Sequence, residues 1–159
     1  MRDCLKSVNN TVKTNMVWYG IAAAAAAADL CLKHFAEKQY IEEHTGKSSS
    51  KKRKLKFREV IHNSGFAGER LREKPGIVAA VAGIFTMFLA LRLPFHKSDK
   101  KKLGWALVLG GAFSNTIDRV RNRYVVDYLP HGKYVYNLGD LEIYTGAAIA
   151  TAAEILEKE

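Results

Sequence analysis

Apolar residues fall into four runs separated by polar stretches. Met16 to Leu32 contains seven consecutive alanines, and Gly76 to Leu93 is uncharged until Arg92. Leu103 to Ile117 carries no charge, and Leu141 to Leu156 holds only Glu142 and Glu154. All have helical composition, and Pro75 and Pro94 punctuate the second at its two ends. The pattern predicts helices over 16–34, 76–95, 103–120 and 138–157. A bilayer span takes about 20 mostly apolar residues. These runs sit at or below that length, so hydropathy alone fits a four-helix membrane protein and a soluble bundle nearly equally.

The connections differ in kind. A long polar stretch, 36–74, is expected to hold a strand around Leu55 to Ile61, and His96 to Lys102 is short and basic. The third contains RYVVDYL, the turn Pro130-His131-Gly132 and KYVYNL, which read as a β-hairpin over 123–137.

With 159 residues the chain is expected to be one domain, and its 48% apolar and 26% charged content leaves the solvent undecided. Cys4 and Cys31 make no disulfide framework and match no metal spacing; Cys31, in an apolar helix, reads as a small buried hydrophobe. The formal charge of +9 points to anionic partners, either headgroups or nucleic acid. Much of it lies in KSSSKKRKLK, Lys47 to Lys56, which reads as a solvated loop. No cleavable signal peptide is expected, because Asp29 interrupts the first apolar run before a plausible processing site.

Three carboxylates stand in apolar surroundings between Gly110 and Asp140. Asp118 ends an apolar helical run, Asp127 interrupts VVDY and Asp140 opens the last apolar segment. Ionised groups in such places are costly unless paired or functional. Asn137 with Asp140 three residues on also reads as an N-cap with an acidic first turn. Asp127 is explained most plainly by a cross-strand salt bridge. If the hairpin folds back, Asp127 and Asp140 meet, and two close carboxylates share a proton and can activate water. Asn115, Asp118 and Arg119 share a helix face, and Asp29 and Lys33 are spaced for a helix ion pair. His62 reads as a surface histidine.

Four pieces, in order along most of the chain, resemble the lipoprotein signal peptidases, the signal peptidase II family of bacterial membrane aspartic proteases. DLCLK at Asp29 to Lys33 is similar to the family's D-x-x-x-K, and Asn63 to Ala67 to its N-x-G-x-A. GGAFSNTIDR with VVDY resembles GGA-x-G-N-x-I-D-R and V-V-D-F, and Asn137 to Gly146 resembles N-x-A-D-x-x-I-x-x-G.

The resemblance implies a mainly α membrane protein, with four transmembrane helices and a small extracytoplasmic β-cradle. It implies an endopeptidase that removes the signal peptide from diacylglyceryl-modified prolipoproteins, cutting before the lipidated cysteine. Asp127 and Asp140 become the catalytic dyad, with Asp118 as runner-up. Asp29, Lys33, Asn63, Gly65, Asn115, Asp118, Arg119 and Asn137 become supporting or substrate-binding residues. No metal or organic cofactor is expected. The partners are the lipidated substrate and membrane lipids, without nucleic acid, and the protein acts as a monomer. Its place is the bacterial cytoplasmic membrane, with the active site facing outward.

Departures are Ser114 where the family usually has glycine, Gly139 for alanine, and Arg123 where glycine is common. Eleven Lys and Arg residues in the first connection also oppose the positive-inside tendency. Two other classes stay open: an inactive membrane protein that binds lipidated peptides, and a soluble basic bundle that binds nucleic acid through Lys51 to Lys56. Fractionation without detergent separates the last from the others.

Overall fold

The computed structural model describes residues 2–45, 57, 59–64 and 73–157, with side chains from Asn15 onward. Helix α1 spans Arg2–His44, α2 Pro75–Arg92, α3 Asp99–Asn122 and α4 Leu138–Leu156. A 3-10 turn, Leu93–Phe95, follows α2 at Pro94. Strands are β1 Ile61–Asn63, β2 Val125–Asp127, β3 Leu129–His131 and β4 Tyr134–Tyr136.

Helix α1 runs well past the expected 16–34 at both ends. The residues after Lys33, HFAEKQYIEEH, contain no glycine or proline, so nothing stops the helix before Gly46. Its buried stripe is Ala22, Ala26, Asp29, Lys33, Ala36 and Gln39, stepping by three or four residues. Cys31 lies off this stripe and is exposed, which corrects the expectation of a buried hydrophobe.

Helix α3 is the hub, packing against α4, α1 and α2. The closest crossing is with α4, where a Cβ on Gly104 would lie 2.7 Å from Ala150 N and one on Gly111 would overlap Gly139 O. Glycines there let the two backbones touch. Leu89, Leu93, Ala106, Val108, Leu109 and Ala112 form one core cluster, with Trp18 and Trp105 packed against it.

The β segments form two small antiparallel sheets. The hairpin proper is β3–β4, which turns at Gly132 with φ +63°. Strand β2 does not join it; it pairs with β1 instead, placing Ile61 opposite Asp127 and Asn63 opposite Val125. Among the described residues the first connection's strand is Ile61–Asn63, meeting the expected 55–61 at Ile61; positions 55, 56 and 58 lie outside the described residues. Tyr128 N bonds to Tyr136 O at 2.8 Å and joins the two sheets. Ala36, Val126 and Tyr128 form a second core cluster beneath them.

Two of the four helices, over Asn15–His44 and Pro75–Phe95, are long and apolar enough to cross a membrane. Ile77, Val81, Ile84, Phe85, Met87, Phe88 and Leu91 are all exposed on α2. An apolar rim of that extent suits lipid far better than water, which disfavours the soluble bundle. The basic run Lys51 to Lys56 and Gly65 lie outside the described residues.

Candidate active site

Four elements converge on one polar cluster beneath the β segments. Lys33 on α1, almost fully buried, is its centre. Its Nζ lies 2.8 Å from Asp29 Oδ2 and 3.1 Å from Asp118 Oδ2. It also donates to Asn115 Oδ1 at 2.6 Å and to Ser114 Oγ at 3.2 Å. Two carboxylates, an amide and a hydroxyl thus fill its hydrogen-bonding capacity, which offsets the cost of burying the group. Asp29 also accepts from Ser114 Oγ at 2.6 Å and from Tyr128 OH at 3.0 Å. Asp118 accepts from Val126 N at 3.2 Å, which pins β2 to α3, and from Asn122 Nδ2 at 3.4 Å.

Asp140 and Asp127 face a common space. Asp140 stands at N3 of α4 in a capping box: its N–H donates to Asn137 Oδ1 at 2.8 Å, and Asn137 N donates back to its Oδ2 at 3.4 Å. Its other oxygen accepts from Asn115 Nδ2 at 3.0 Å. Asp140 is therefore both a helix cap and a site residue. The Asn137 carboxamide, fully buried, also donates to Asp127 Oδ1 at 2.6 Å. Asn63 Nδ2 donates to Asp127 Oδ2 at 3.1 Å, a contact that the β1–β2 pairing makes possible. The cross-strand salt bridge proposed for Asp127 is absent among the described residues; its partners are amides.

Burial pushes the Asp127 carboxyl up to about 6, and the negative charge of Asp140 adds to the rise, while the Asn63 and Asn137 amides and Lys33 oppose it. Arg119 Nη1 donates to Asn115 O at 3.4 Å, and the guanidinium sits in the field of Asp140, Asp127 and Asp118. Among these groups four carboxylates, Asp29, Asp118, Asp127 and Asp140, face two cations, Lys33 and Arg119.

The residues named from the sequence separate into two groups. Asn63, Asn115, Arg119, Asp127 and Asp140 line a cavity of about 770 Å³, walled by Val81, Phe85 and Ile143 and rimmed by Tyr134, Tyr136 and Tyr144. Asp29, Lys33, Asp118 and Asn137 stand behind them. Asp118, the runner-up for the dyad, does not reach the cavity and is committed to Lys33 and the β2 backbone. His62 is at the surface, bonded to Glu37 at 2.9 Å. Among the described residues no group of His, Cys, Asp and Glu could hold a metal ion.

Sequence reasoning missed Tyr128 and Ser114 as members of the cluster. Tyr128 is 1% exposed and accepts from Leu138 N at 3.2 Å while donating to Asp29, so it ties α4 to α1. Its signal was present: an aromatic residue with a polar tip beside Asp127. The departures are accommodated locally. Ser114 bonds into the ion cluster, Gly139 faces Asp29 with no room for a side chain, and Arg123 caps α3 at φ 69°.

The fold is that of a bacterial membrane enzyme. One such enzyme, solved by the in meso method at 2.3 Å, superposes with a TM-score of 0.66 at 21% identity, covering 93% of this chain and 91% of that one. A second, at 1.9 Å, gives 0.60 at 20% identity over 89% and 92%. Residues 21–156 match the family described as Signal peptidase (SPase) II, and the chain belongs to that family. It is 47% identical over 105 residues to the lipoprotein signal peptidase of Brucella ovis, covering 60% of this chain and 64% of that protein. With that of Vibrio parahaemolyticus it shares 34% identity over 102 residues, covering 56% and 59%. The chain thus spans less than two thirds of the length of these relatives.

Proposed function

We propose that this protein is a membrane-embedded aspartic endopeptidase that frees diacylglyceryl-modified prolipoproteins of their signal peptides, cutting just before the lipidated cysteine. The observation that carries the reading is the pair Asp127 and Asp140, both on one largely apolar cavity and both bonded through Asn137. Family membership and the names of the relatives support the substrate class.

In this reading all four helices cross the cytoplasmic membrane and the β segments lie on its outer face. Acyl chains rest against Val81, Phe85 and Ile143, and the scissile carbonyl sits above the acids. Asp140, at a helix N-terminus and accepting from Asn115, is the ionised base that takes a proton from water. Asp127, with its carboxyl raised to about 6, keeps the proton and hydrogen-bonds the substrate carbonyl. Water attacks the carbonyl carbon as Asp140 takes its proton and Asp127 passes its own proton to the carbonyl oxygen, giving a tetrahedral diol. On collapse a diol hydroxyl returns a proton to Asp127. As the C–N bond breaks, the dyad returns a proton to the leaving amine, and one proton stays on the pair. Arg119 balances the pair's remaining negative charge. Exclusion of water by bound substrate raises Asp127 further and favours the singly protonated state.

The test is cleavage of a lipidated prolipoprotein by purified Asp127→Asn and Asp140→Asn variants. Each is expected to lose about a thousandfold or more in kcat with unchanged folding. Full cleavage by both variants would sink the assignment.

A further inference from the structure

Two small residues on neighbouring helices share one position beside Asp29. Ser114, fully buried on α3, donates to Asp29 Oδ2 at 2.6 Å and accepts from Lys33 Nζ at 3.2 Å. With the 2.8 Å ion pair between Asp29 Oδ2 and Lys33 Nζ, the three groups close a ring. Gly139, in the first turn of α4, faces the same oxygen. A Cβ there would lie 2.7 Å from Asp29 Oδ2, with Asn137 Oδ1 at 3.1 Å and Gly111 O at 3.2 Å behind it. The carboxylate oxygen is held at its present place by two hydrogen bonds, so it cannot yield without loosening the ring.

We propose that Ser114 is a positioning residue for the reaction and that Gly139 is its required complement. The serine hydroxyl holds Asp29 in the space that residue 139 leaves empty. Asp29 so placed fixes Lys33, Lys33 holds Asn115 Oδ1 at 2.6 Å, and Asn115 Nδ2 holds Asp140 Oδ1 at 3.0 Å. The glycine is ordinary α-helix, so an alanine there meets a collision and no backbone strain. Loss of the Ser114 side chain both frees Asp29 Oδ2 from one restraint and opens volume for it to move into. Substitutions at the two positions therefore offset one another, where unrelated sites would simply multiply.

A double-mutant cycle tests this, using the full chain in detergent with a lipidated prolipoprotein as substrate. Gly139→Ala is expected to lower kcat about tenfold with KM within about twofold, and Ser114→Gly to lower it about threefold. The double variant is expected to recover to within about threefold of the unmodified protein. Multiplication of the two losses would overturn the proposal. So would a cycle in which melting temperatures shift while kcat stays constant, because Ser114 would then serve packing alone. If Gly139→Ala does not fold, folding of the double variant supports the pairing and its failure to fold refutes it. The activity arm rests on the proteolytic reading above, whereas the melting-temperature cycle does not. An unmodified protein that cleaves nothing would defeat that reading, and additive melting shifts would still defeat this one.

Discussion

Replacing Lys33 by methionine removes the one ammonium at the centre of the cluster while keeping an unbranched chain of similar length. Lys33 is 3% exposed, and its two partners, Asp29 and Asp118, are 0% and 5% exposed. Removing one member of a buried ion pair costs about 3–5 kcal/mol, because the remaining charge stays out of water uncompensated. Here each acid keeps two other donors: Ser114 and Tyr128 for Asp29, Val126 N and Asn122 for Asp118. These place the cost near the lower end, about 3 kcal/mol. For a chain of this size that corresponds to a fall of about 6–12 °C in melting temperature. The Lys33→Met variant is also expected to cleave poorly, because Asn115 loses the donor that orients it toward Asp140. Adding Asp29→Asn removes one stranded charge and should restore about half of the lost stability. The assay is thermal unfolding of purified protein in detergent, followed by substrate cleavage. A Lys33→Met protein that melts within about 2 °C of the unmodified one would refute the electrostatic account of the cluster.

Two further outcomes follow from single residues. Arg123 caps α3 in the left-handed region at φ 69°, where a side chain is strained, so Arg123→Gly should stabilise the protein by about 1 kcal/mol in denaturant or thermal unfolding. Asp127 binds a proton more tightly folded, with its carboxyl at about 6, than unfolded, at 3.8. The folded state thus holds the extra proton between those values, and stability falls as pH rises through that window, by up to about 3 kcal/mol. Melting temperatures measured from about pH 4 to about pH 6 should show that slope, and Asp127→Asn should flatten it.

Much of the helical framework was legible because its signals are local. Pro75 and Pro94 bracket α2, and the capping box of Asn137 and Asp140 starts α4 within four residues. Helix α1 outruns its apolar run, so hydropathy does not mark its end. Residues beyond Lys33 are mostly polar in sequence, yet Ala36 and Gln39 continue the same buried stripe. The β segments were harder to read. VVDY and KYVYNL both carry strand propensity, and nothing local says that β2 turns from β4 to pair with β1. Asp118 on a neighbouring helix holds Val126 N and so fixes β2 from outside the strands.

The sequence by itself determined the inventory: four helices, three aspartates in apolar surroundings, and amides spaced to serve them. It also carried the family pattern, because motifs are strings and survive without coordinates. Only the tertiary structure decided which aspartates face the cavity. Asp118 and Asp127 lie nine positions apart with similar neighbours, yet one is taken by Lys33 and a backbone amide and the other opens onto the cavity. The same holds for Ser114 and Gly139, which look like unrelated departures along the chain and meet at one carboxylate oxygen in the fold. The physical reason is that burial and pairing of a charge depend on groups brought together from distant parts of the chain, which no local pattern records.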